Sequence, residues 1–187
     1  DGHVIDAGRW KDEFLDYDYI GASWPQFDDG YEVGNGGFSL RSRRLMEACR
    51  KSLFQAHHPE DVAIGRTNRA LLESLGLRFA PVELADQFSA ERASDPTKTF
   101  GYHGVFLMPV AIGIDRFWEI YLDLDDLSTT RDDWLSLLKA IGGGKNSLWR
   151  SITFLACCGS SIILKGLATL ARRSINPFKT STPRGSA

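Results

Sequence analysis

A short run of glycine and asparagine carries the clearest chemical signal in this chain. Three glycines and one asparagine fill the consecutive positions Gly34-Asn35-Gly36-Gly37. Glycine adopts positive φ without steric cost and lets the backbone come close to a ligand, and asparagine is among the few other residues that tolerate this conformation. Such a loop can line a ligand pocket, but it is equally typical of a tight turn between two structural elements. The residue pattern alone leaves both interpretations open.

Two further groups have side chains suited to acid–base or metal chemistry. Glu60 and Asp61 directly follow a proline. A carboxylate can take a proton from an attacking hydroxyl, but proline followed by two acids is also a well-formed helix start. His103 lies between two glycines, where backbone freedom can let the imidazole reach a ligand. A buried, hydrogen-bonded histidine is the alternative.

Strands and short helices are predicted around these groups. The alternating run at 38–40 predicts a half-buried strand. Ser42 is placed to cap a helix over 43–54, whose apolar residues Leu45, Met46, Cys49 and Leu53 recur at helical spacing. A second helix over the leucines near 71–75 should end at Gly76. The pattern further predicts an amphipathic helix over 4–16, strands over 17–24, 77–82 and 99–108, a loop or lid over 88–98, and a helix over 135–141.

Composition narrows the function classes. The 187 residues are 43% hydrophobic and 25% charged, as in ordinary globular proteins. A net charge of -2 gives no electrostatic reason to expect a nucleic-acid partner. Three cysteines are too few and too poorly spaced for a disulfide framework or a zinc site. The polar first residues show no secretory signal, so we expect a cytoplasmic protein.

Several ordered motifs resemble a known family. In chain order they are Asp18-Tyr19-Ile20-Gly21-Ala22-Ser23-Trp24-Pro25, the glycine loop, Pro59-Glu60-Asp61-Val62, Phe79-Ala80-Pro81 with Ala85 and Phe88-Ser89, and Phe100-Gly101-Tyr102-His103-Gly104. Over residues 1–106 the chain resembles bacterial glycosyltransferase-like proteins of largely unassigned specificity. That family is similar to nucleotide-sugar-dependent transferases with the GT-A fold. The resemblance implies an α/β fold with a Rossmann-like mixed sheet and flanking helices.

The resemblance also implies roles for particular residues. By this resemblance, Asp1 and His103 match the two protein ligands of a divalent metal ion, manganese or magnesium. Such hard cations prefer oxygen ligands, so a carboxylate together with phosphate oxygens suits them. Gly34, Asn35, Gly36 and Gly37 match the loop that lines the sugar pocket. Glu60 and Asp61 match the acidic pair near the acceptor, with Asp61 as the general base and Glu60 positioning the acceptor or exchanging roles with it. The implied partners are a nucleotide-sugar donor and a saccharide or other hydroxyl acceptor.

The same resemblance implies a division of the chain. Residues 1–110 match the C-terminal half of a GT-A-like domain whose nucleotide-binding half would precede Asp1, so we expect a fragment. Residues 111–173 are predicted to be a helical extension, and the polar, proline-containing stretch 174–187 is predicted to be disordered. Within the extension, the apolar run 152–164 is too short to span a bilayer, which takes about 20 residues. Together with the residues up to 173 it could instead lie on the inner membrane surface.

Three functional hypotheses follow. The leading one is a metal-assisted glycosyltransferase that moves a sugar from a nucleotide diphosphate to a hydroxyl. The second is a non-catalytic remnant that binds a saccharide or a protein, because the upstream half is missing from the sequence. The third is a membrane-surface protein held through residues 152–173.

Overall fold

The computed structural model describes residues 1–125, 127–143 and 146–158. Contacts divide the chain into two units, the first covering Asp1–Asp133 and the second beginning at Trp134. The predicted disordered stretch 174–187 and most of the predicted membrane-surface segment, 159–173, lie outside the described residues. The domain boundary predicted near residue 110 stays a prediction.

Short strands and helices alternate along the first unit. Its strands are β1 (Gly2–Val4), β2 (Tyr19–Gly21), β3 (Ser39–Arg41), β4 (Ser89–Ala90) and β5 (Gly101–His103). Its α-helices are α1 (Arg43–Ala48), α2 (Glu60–Val62), α3 (Arg69–Ser74), α4 (Val82–Phe88), α5 (Met108–Ile112), α6 (Ile114–Leu122) and α7 (Ser128–Asp132). A π-helical turn, Ala63–Thr67, continues α2, and 3₁₀ turns cover Ala7–Arg9, Asp12–Asp16, Pro96–Lys98 and Val105–Leu107.

Two small sheets organise the strands. The first has the order β1-β5-β4, with β1 antiparallel to β5 and β4 parallel to β5. The second pairs β2 with β3 in antiparallel fashion. The fold is therefore mixed α/β with a small mixed sheet and several helices, which agrees with the predicted α/β class.

The core of the first unit lies against the β2–β3 sheet and is rich in aromatic residues. Phe14 and Phe88 are almost fully buried and contact each other edge to face, while Phe38 stacks on Phe88 with ring centroids 5.2 Å apart. Each fully buried phenylalanine contributes about 1.5–3 kcal/mol through the hydrophobic effect. Gly101 permits this packing because a Cβ there would lie 2.2 Å from the Phe38 ring.

The predicted helix cap is confirmed, but the helix is shorter than predicted. Ser42 Oγ accepts a hydrogen bond from Leu45 N at 3.1 Å and donates one to Asp18 at 2.5 Å. The helix ends at Ala48 instead of continuing to 54. Leu53, assigned to its apolar face, is 73% exposed, so the last predicted turn has no apolar surface to bury. The second predicted helix is confirmed as α3, and Gly76 follows it at φ 76°.

Other predicted boundaries are wrong because tertiary pairing overrides local pattern. The predicted strand 77–82 makes a single parallel bridge, Phe79 to Tyr19, and Pro81 then caps α4. The predicted loop or lid 88–98 instead begins with the last residue of α4 and continues into β4. The predicted helix over 4–16 is divided between β1 and two 3₁₀ turns, and the predicted strand 99–108 is limited to β5.

The second unit is helical where it is described. Helix α8 covers Trp134–Ile141 and buries Leu137 and Ile141, which are one helical turn apart, and residues 147–158 are also helical. The helix predicted at 135–141 is confirmed. Within the described ranges, none of the helices combines the length and apolarity needed to cross a membrane. The proposed membrane contact through 152–173 stays a prediction.

Candidate functional site

Buried side chains and a buried backbone carbonyl hold the glycine loop in place. The Tyr19 hydroxyl donates to the Gly34 carbonyl at 2.5 Å, and burial raises the pKa of Tyr19 far above its usual value, so the phenol remains a donor. The Trp24 ring packs so closely on Gly34 that a Cβ there would lie 2.3 Å from it. Asn35 N donates to the Ala22 carbonyl at 3.2 Å. These contacts fix the loop instead of leaving it a mobile turn.

Gly36 brings the loop against the acidic pair at the start of α2. Its backbone N–H donates to Asp61 Oδ2 at 3.3 Å. A Cβ at Gly36 would lie 2.6 Å from Arg41 Nη2, 2.7 Å from Glu60 Oε1 and 2.8 Å from the Asp61 Cβ. Only glycine allows this approach, since real Cβ contacts essentially never fall below 3.0 Å.

The two acids of the pair are held differently. Glu60 Oε1 accepts from Arg41 Nη2 at 2.9 Å, and this hydrogen bond lowers the pKa of Glu60. Asp61 accepts backbone N–H groups, from Val62 at 2.8 Å through Oδ1 and from Gly36 through Oδ2. Glu60 is therefore committed to an ion pair, whereas Asp61 carries no ion-pair partner among the contacts of the described residues.

Gly37 carries the loop onto His103. A Cβ at Gly37 would lie only 2.1 Å from His103 Nε2, so the backbone lies directly on the imidazole. Antiparallel pairing of β1 with β5 sets Gly2 opposite His103, and this register brings the preceding residue beside the ring. Asp1 Oδ1 lies 3.5 Å from His103 Nε2. The two residues matched to metal ligands are thus neighbours, although the sequence separates them widely.

Glu91 is a site residue that the sequence did not reveal. Its Oε1 lies 3.1 Å from His103 Nδ1, and its Oε2 accepts from Asn35 Nδ2 at 2.7 Å. Asn35 Oδ1 in turn accepts from Gly37 N at 3.0 Å. Glu91 therefore links the glycine loop to the imidazole. It follows β4 in a polar stretch that looks like a loop, and only the parallel β4–β5 pairing places it here.

These contacts define the electrostatics around the imidazole. An ionised Glu91 carboxylate is an acceptor only, so Nδ1 must donate to it. His103 Nε2 lies 3.5 Å from Asp1 Oδ1, beyond the usual hydrogen-bond distance. When Nδ1 carries the proton of the ring, Nε2 and the carboxylate are both acceptors, and a cation between them would satisfy both. The arrangement therefore suits a positive ion, although no group of three or more His, Cys, Asp or Glu side chains with metal-binding geometry occurs among the described residues.

Two cavities flank the glycine loop. One of about 200 Å³ is lined by Asp1, Glu91, Arg92, His103, Gly104, Val105, Thr129, Asp132 and Asp133. The other, of about 210 Å³, includes Arg41 and Glu60 in its lining. Gly37 contacts the imidazole of the first, and Gly36 contacts the Arg41–Glu60 pair of the second. Of the predicted site residues, Asp1 and His103 line the first cavity and Glu60 lines the second. Asp61 and the glycine loop line neither of these two cavities, but Gly36 and Gly37 connect the two groups through their contacts.

Comparison with known proteins gives a family and no function. A family described as proteins of unknown function, DUF5672, matches residues 1–103, more than half of the 187-residue chain. Neither a curated protein nor a solved structure matches the chain. The matched segment begins at Asp1 and ends at His103, so it contains the glycine loop, the acidic pair, Glu91 and both members of the Asp1–His103 pair.

Proposed function

Since the chain belongs to the DUF5672 family, whose function is unknown, we propose from its site geometry that it transfers a sugar from a nucleotide diphosphate to a hydroxyl acceptor with the help of a divalent metal ion. One observation carries the proposal. The glycine loop contacts the acidic pair through Gly36 and the imidazole through Gly37, so the three groups that such a reaction needs are adjacent. The proposal includes a GT-A-like fold, which the mixed sheet β1-β5-β4 supports.

The donor set between Asp1 and His103 fits a manganese or magnesium ion. A carboxylate oxygen and an imidazole nitrogen face each other there, and such ions take few protein ligands and complete their coordination with water and substrate phosphates. When bound, the ion would neutralise the departing diphosphate. Glu91 holds the far side of the ring through Nδ1, which fixes the orientation of Nε2. Such supporting partners are worth about 10–100-fold in metal affinity or activity.

Asp61 is the better general base of the acidic pair. Glu60 is paired with Arg41 and has a lowered pKa, so it is a weaker proton acceptor. A carboxylate has about four lone-pair positions, and the Asp61 oxygens accept one backbone N–H each. Asp61 therefore keeps lone pairs for an acceptor hydroxyl, while Glu60 and Arg41 can position that acceptor. The proposed proton transfer goes from the attacking hydroxyl to the Asp61 carboxylate.

The backbone at Gly36 and Gly37 is the part of the loop proposed to face the sugar. Side chains of Arg41, Glu60, Asp61 and His103 fill the space where the Cβ atoms of these two glycines would lie, but Gly37 is exposed and Gly36 is partly exposed, so the sugar is proposed to lie against the open side of this backbone. The match of Asn35 to the loop that lines the sugar pocket stays a prediction. In the structure its side-chain amide bonds Glu91 and Gly37, and the residue is only 6% exposed. We assign Asn35 the role of holding the loop against Glu91.

The proposal is tested by the release of nucleoside diphosphate. The purified chain is incubated with Mn²⁺ and a panel of nucleotide sugars, and release is compared between wild type and Asp61→Asn. Loss of a general base should slow turnover about 10²–10⁴-fold while donor binding persists. Asp28→Asn, in an exposed turn, is the matched control and should behave as wild type. Equal turnover by Asp61→Asn would remove Asp61 from the proposed role.

A non-catalytic saccharide- or protein-binding module is the second candidate. It is favoured by the structural contacts of the acidic pair: Glu60 is ion-paired, and Asp61 accepts backbone N–H groups at a helix start, so both acids have a role in the fold without catalysis. The same panel separates the two candidates. Nucleotide-sugar binding without any release of nucleoside diphosphate would favour the binding module, and measurable release would exclude it.

A further inference from the structure

The cavity beside Glu60 has walls unlike those of a saccharide site. Its volume is about 210 Å³. Apart from one ionic corner and one histidine, its lining is apolar or weakly polar: Met46, Cys49, Phe54, Ala56, Ala63 and Ile64. Met46 and Cys49 come from helix α1 and the turn after it, whereas Ala63 and Ile64 belong to the π-helical turn that follows the acidic pair. The cavity therefore lies between these two helical segments.

Hydrogen-bonding capacity in this cavity is concentrated at the ionic corner. His57 also lines the cavity, but its Nε2 lies 2.7 Å from Thr67 Oγ1 and its Nδ1 lies 3.4 Å from the His58 carbonyl. Burial raises the pKa of the Cys49 thiol, so that side chain stays neutral and only weakly polar. Glu60 pairs with Arg41, yet its side chain is 61% exposed. Its carboxylate therefore keeps acceptor capacity for one hydroxyl at the rim.

Size and polarity together define the ligand. An enclosed protein cavity of about 150 Å³ accepts benzene. The cavity beside Glu60 measures about 210 Å³ and is open to solvent where Met46 and Glu60 are exposed, so it has room for one ring with a short substituent. A sugar ring would turn several hydroxyls toward walls that cannot bond them, and such hydroxyls would lose their hydrogen bonds to water without replacement. An apolar ring or short hydrocarbon loses nothing there. A single hydroxyl on it can reach Glu60, next to Asp61.

We propose that this cavity binds an aromatic or short aliphatic alcohol, with its apolar part between Met46 and Ile64 and its hydroxyl at Glu60. If the chain transfers a sugar, as proposed above, this alcohol is the acceptor in place of a saccharide. Only this acceptor role rests on the proposed function. The binding itself is measured independently of sugar transfer.

Cys49 provides a direct probe of occupancy. The chain is alkylated with iodoacetamide in increasing benzyl alcohol, and modification of each cysteine is followed by peptide mass spectrometry. Occupancy should slow alkylation of Cys49 by a factor of one plus the ratio of ligand concentration to Kd, about threefold at twice Kd. Cys157, which is exposed, is the internal reference and should not change. An unchanged Cys49 rate, or equal protection by methyl glucoside, would overturn the proposal.

A pair of exposed variants locates the protection. Met46 lines the cavity and is 47% exposed, whereas Leu53 does not line it and is 73% exposed. Both positions accept a charge without disturbing the core. Met46→Asp should abolish protection of Cys49 by benzyl alcohol, and Leu53→Asp should leave it intact. Protection that survives Met46→Asp would place the ligand elsewhere and contradict the proposal.

The same samples separate this inference from the proposed function. Release of nucleoside diphosphate with Cys49 unprotected would overturn the alcohol site and leave sugar transfer standing. Protection of Cys49 without release from any nucleotide sugar would establish the alcohol site and count against transfer. Both signals together, with the sugar transferred to benzyl alcohol in preference to methyl glucoside, are the result that we expect.

Discussion

Adding one methyl group at Gly37 should displace the imidazole on which the proposed metal site depends. The Cβ of Gly37→Ala would lie 2.1–2.3 Å from three atoms of the His103 ring, whereas ordinary contacts begin at 3.4 Å. The ring must therefore move by about 1.3 Å. The hydrogen bond between His103 Nδ1 and Glu91 Oε1 is already 3.1 Å long, so a shift of this size away from Glu91 would take it outside the usual range of lengths. Overpacking of this kind costs about 1–3 kcal/mol of stability, so the variant should remain folded.

Manganese binding is the assay for this displacement. Free Mn²⁺ is measured by electron paramagnetic resonance during titration in the presence of UDP. We expect affinity to fall about 10–100-fold, the usual effect of disturbing the support of a metal ligand, and turnover to fall about 10²-fold. Gly143→Ala is the control, because among the residues that the structure describes its Cβ would meet only the Ala140 carbonyl, at 3.7 Å. A folded Gly37→Ala protein with wild-type Mn²⁺ affinity would refute the reasoning.

Three further predictions concern the groups around the loop. Glu91→Gln should lower Mn²⁺ affinity about 10-fold or more in the same titration, because a neutral amide no longer fixes the tautomer of His103. Tyr19→Phe should lower the free energy of unfolding in urea by about 1–3 kcal/mol, since it leaves the buried Gly34 carbonyl without its donor. Glu60→Gln should make unfolding less sensitive to acid. The pKa of Glu60 lies below its ordinary 4.5 when folded, so its pairing stabilises the fold above that pH and is lost as the pH falls.

Matched variants and contrary results are available for each. Glu83→Gln, on α4, is the control for Glu91→Gln, and equal Mn²⁺ affinity of the Glu91 variant and this control would contradict the assigned role. Tyr31→Phe, in a loop, is the control for Tyr19→Phe. If both variants lose the same free energy of unfolding, the proposed role of the Tyr19 hydroxyl is contradicted. For Glu60→Gln, the contrary finding is a stability profile that falls with acid as steeply as that of wild type.

Local residue chemistry was enough to predict part of this site. The glycine loop stands out because close backbone approach at Gly36 and Gly37 excludes any side chain. The cap at Ser42 was predictable because its bond to Leu45 spans only three residues. The acidic pair was visible as a helix start, which it also is. The cap and the helix start depend on neighbours in sequence, so their pattern is visible without knowledge of the fold. The glycines are visible by residue type alone, although the groups that they contact lie at 60, 61 and 103.

Long-range pairing accounts for what the sequence did not reveal. Glu91 bonds Asn35 across 56 residues and His103 across 12, and nothing in its polar surroundings marks it. The proximity of Asp1 to His103 came only from resemblance, because it depends on the β1–β5 register. Alternation over 77–82 predicted a strand, yet Pro81 instead starts α4. A tertiary contact decided the outcome for Glu91 and Asp1, whereas the helix start after Pro81 is a local feature that the alternation concealed.

A structure of the chain with Mn²⁺ and an intact nucleotide sugar tests the central claim most directly. The account predicts the ion between Asp1 and His103, the sugar against the backbone of Gly36 and Gly37, and the anomeric carbon on the side of Asp61. A nucleotide sugar bound elsewhere, with the Asp1–His103 pair and the glycine loop untouched, would contradict the account.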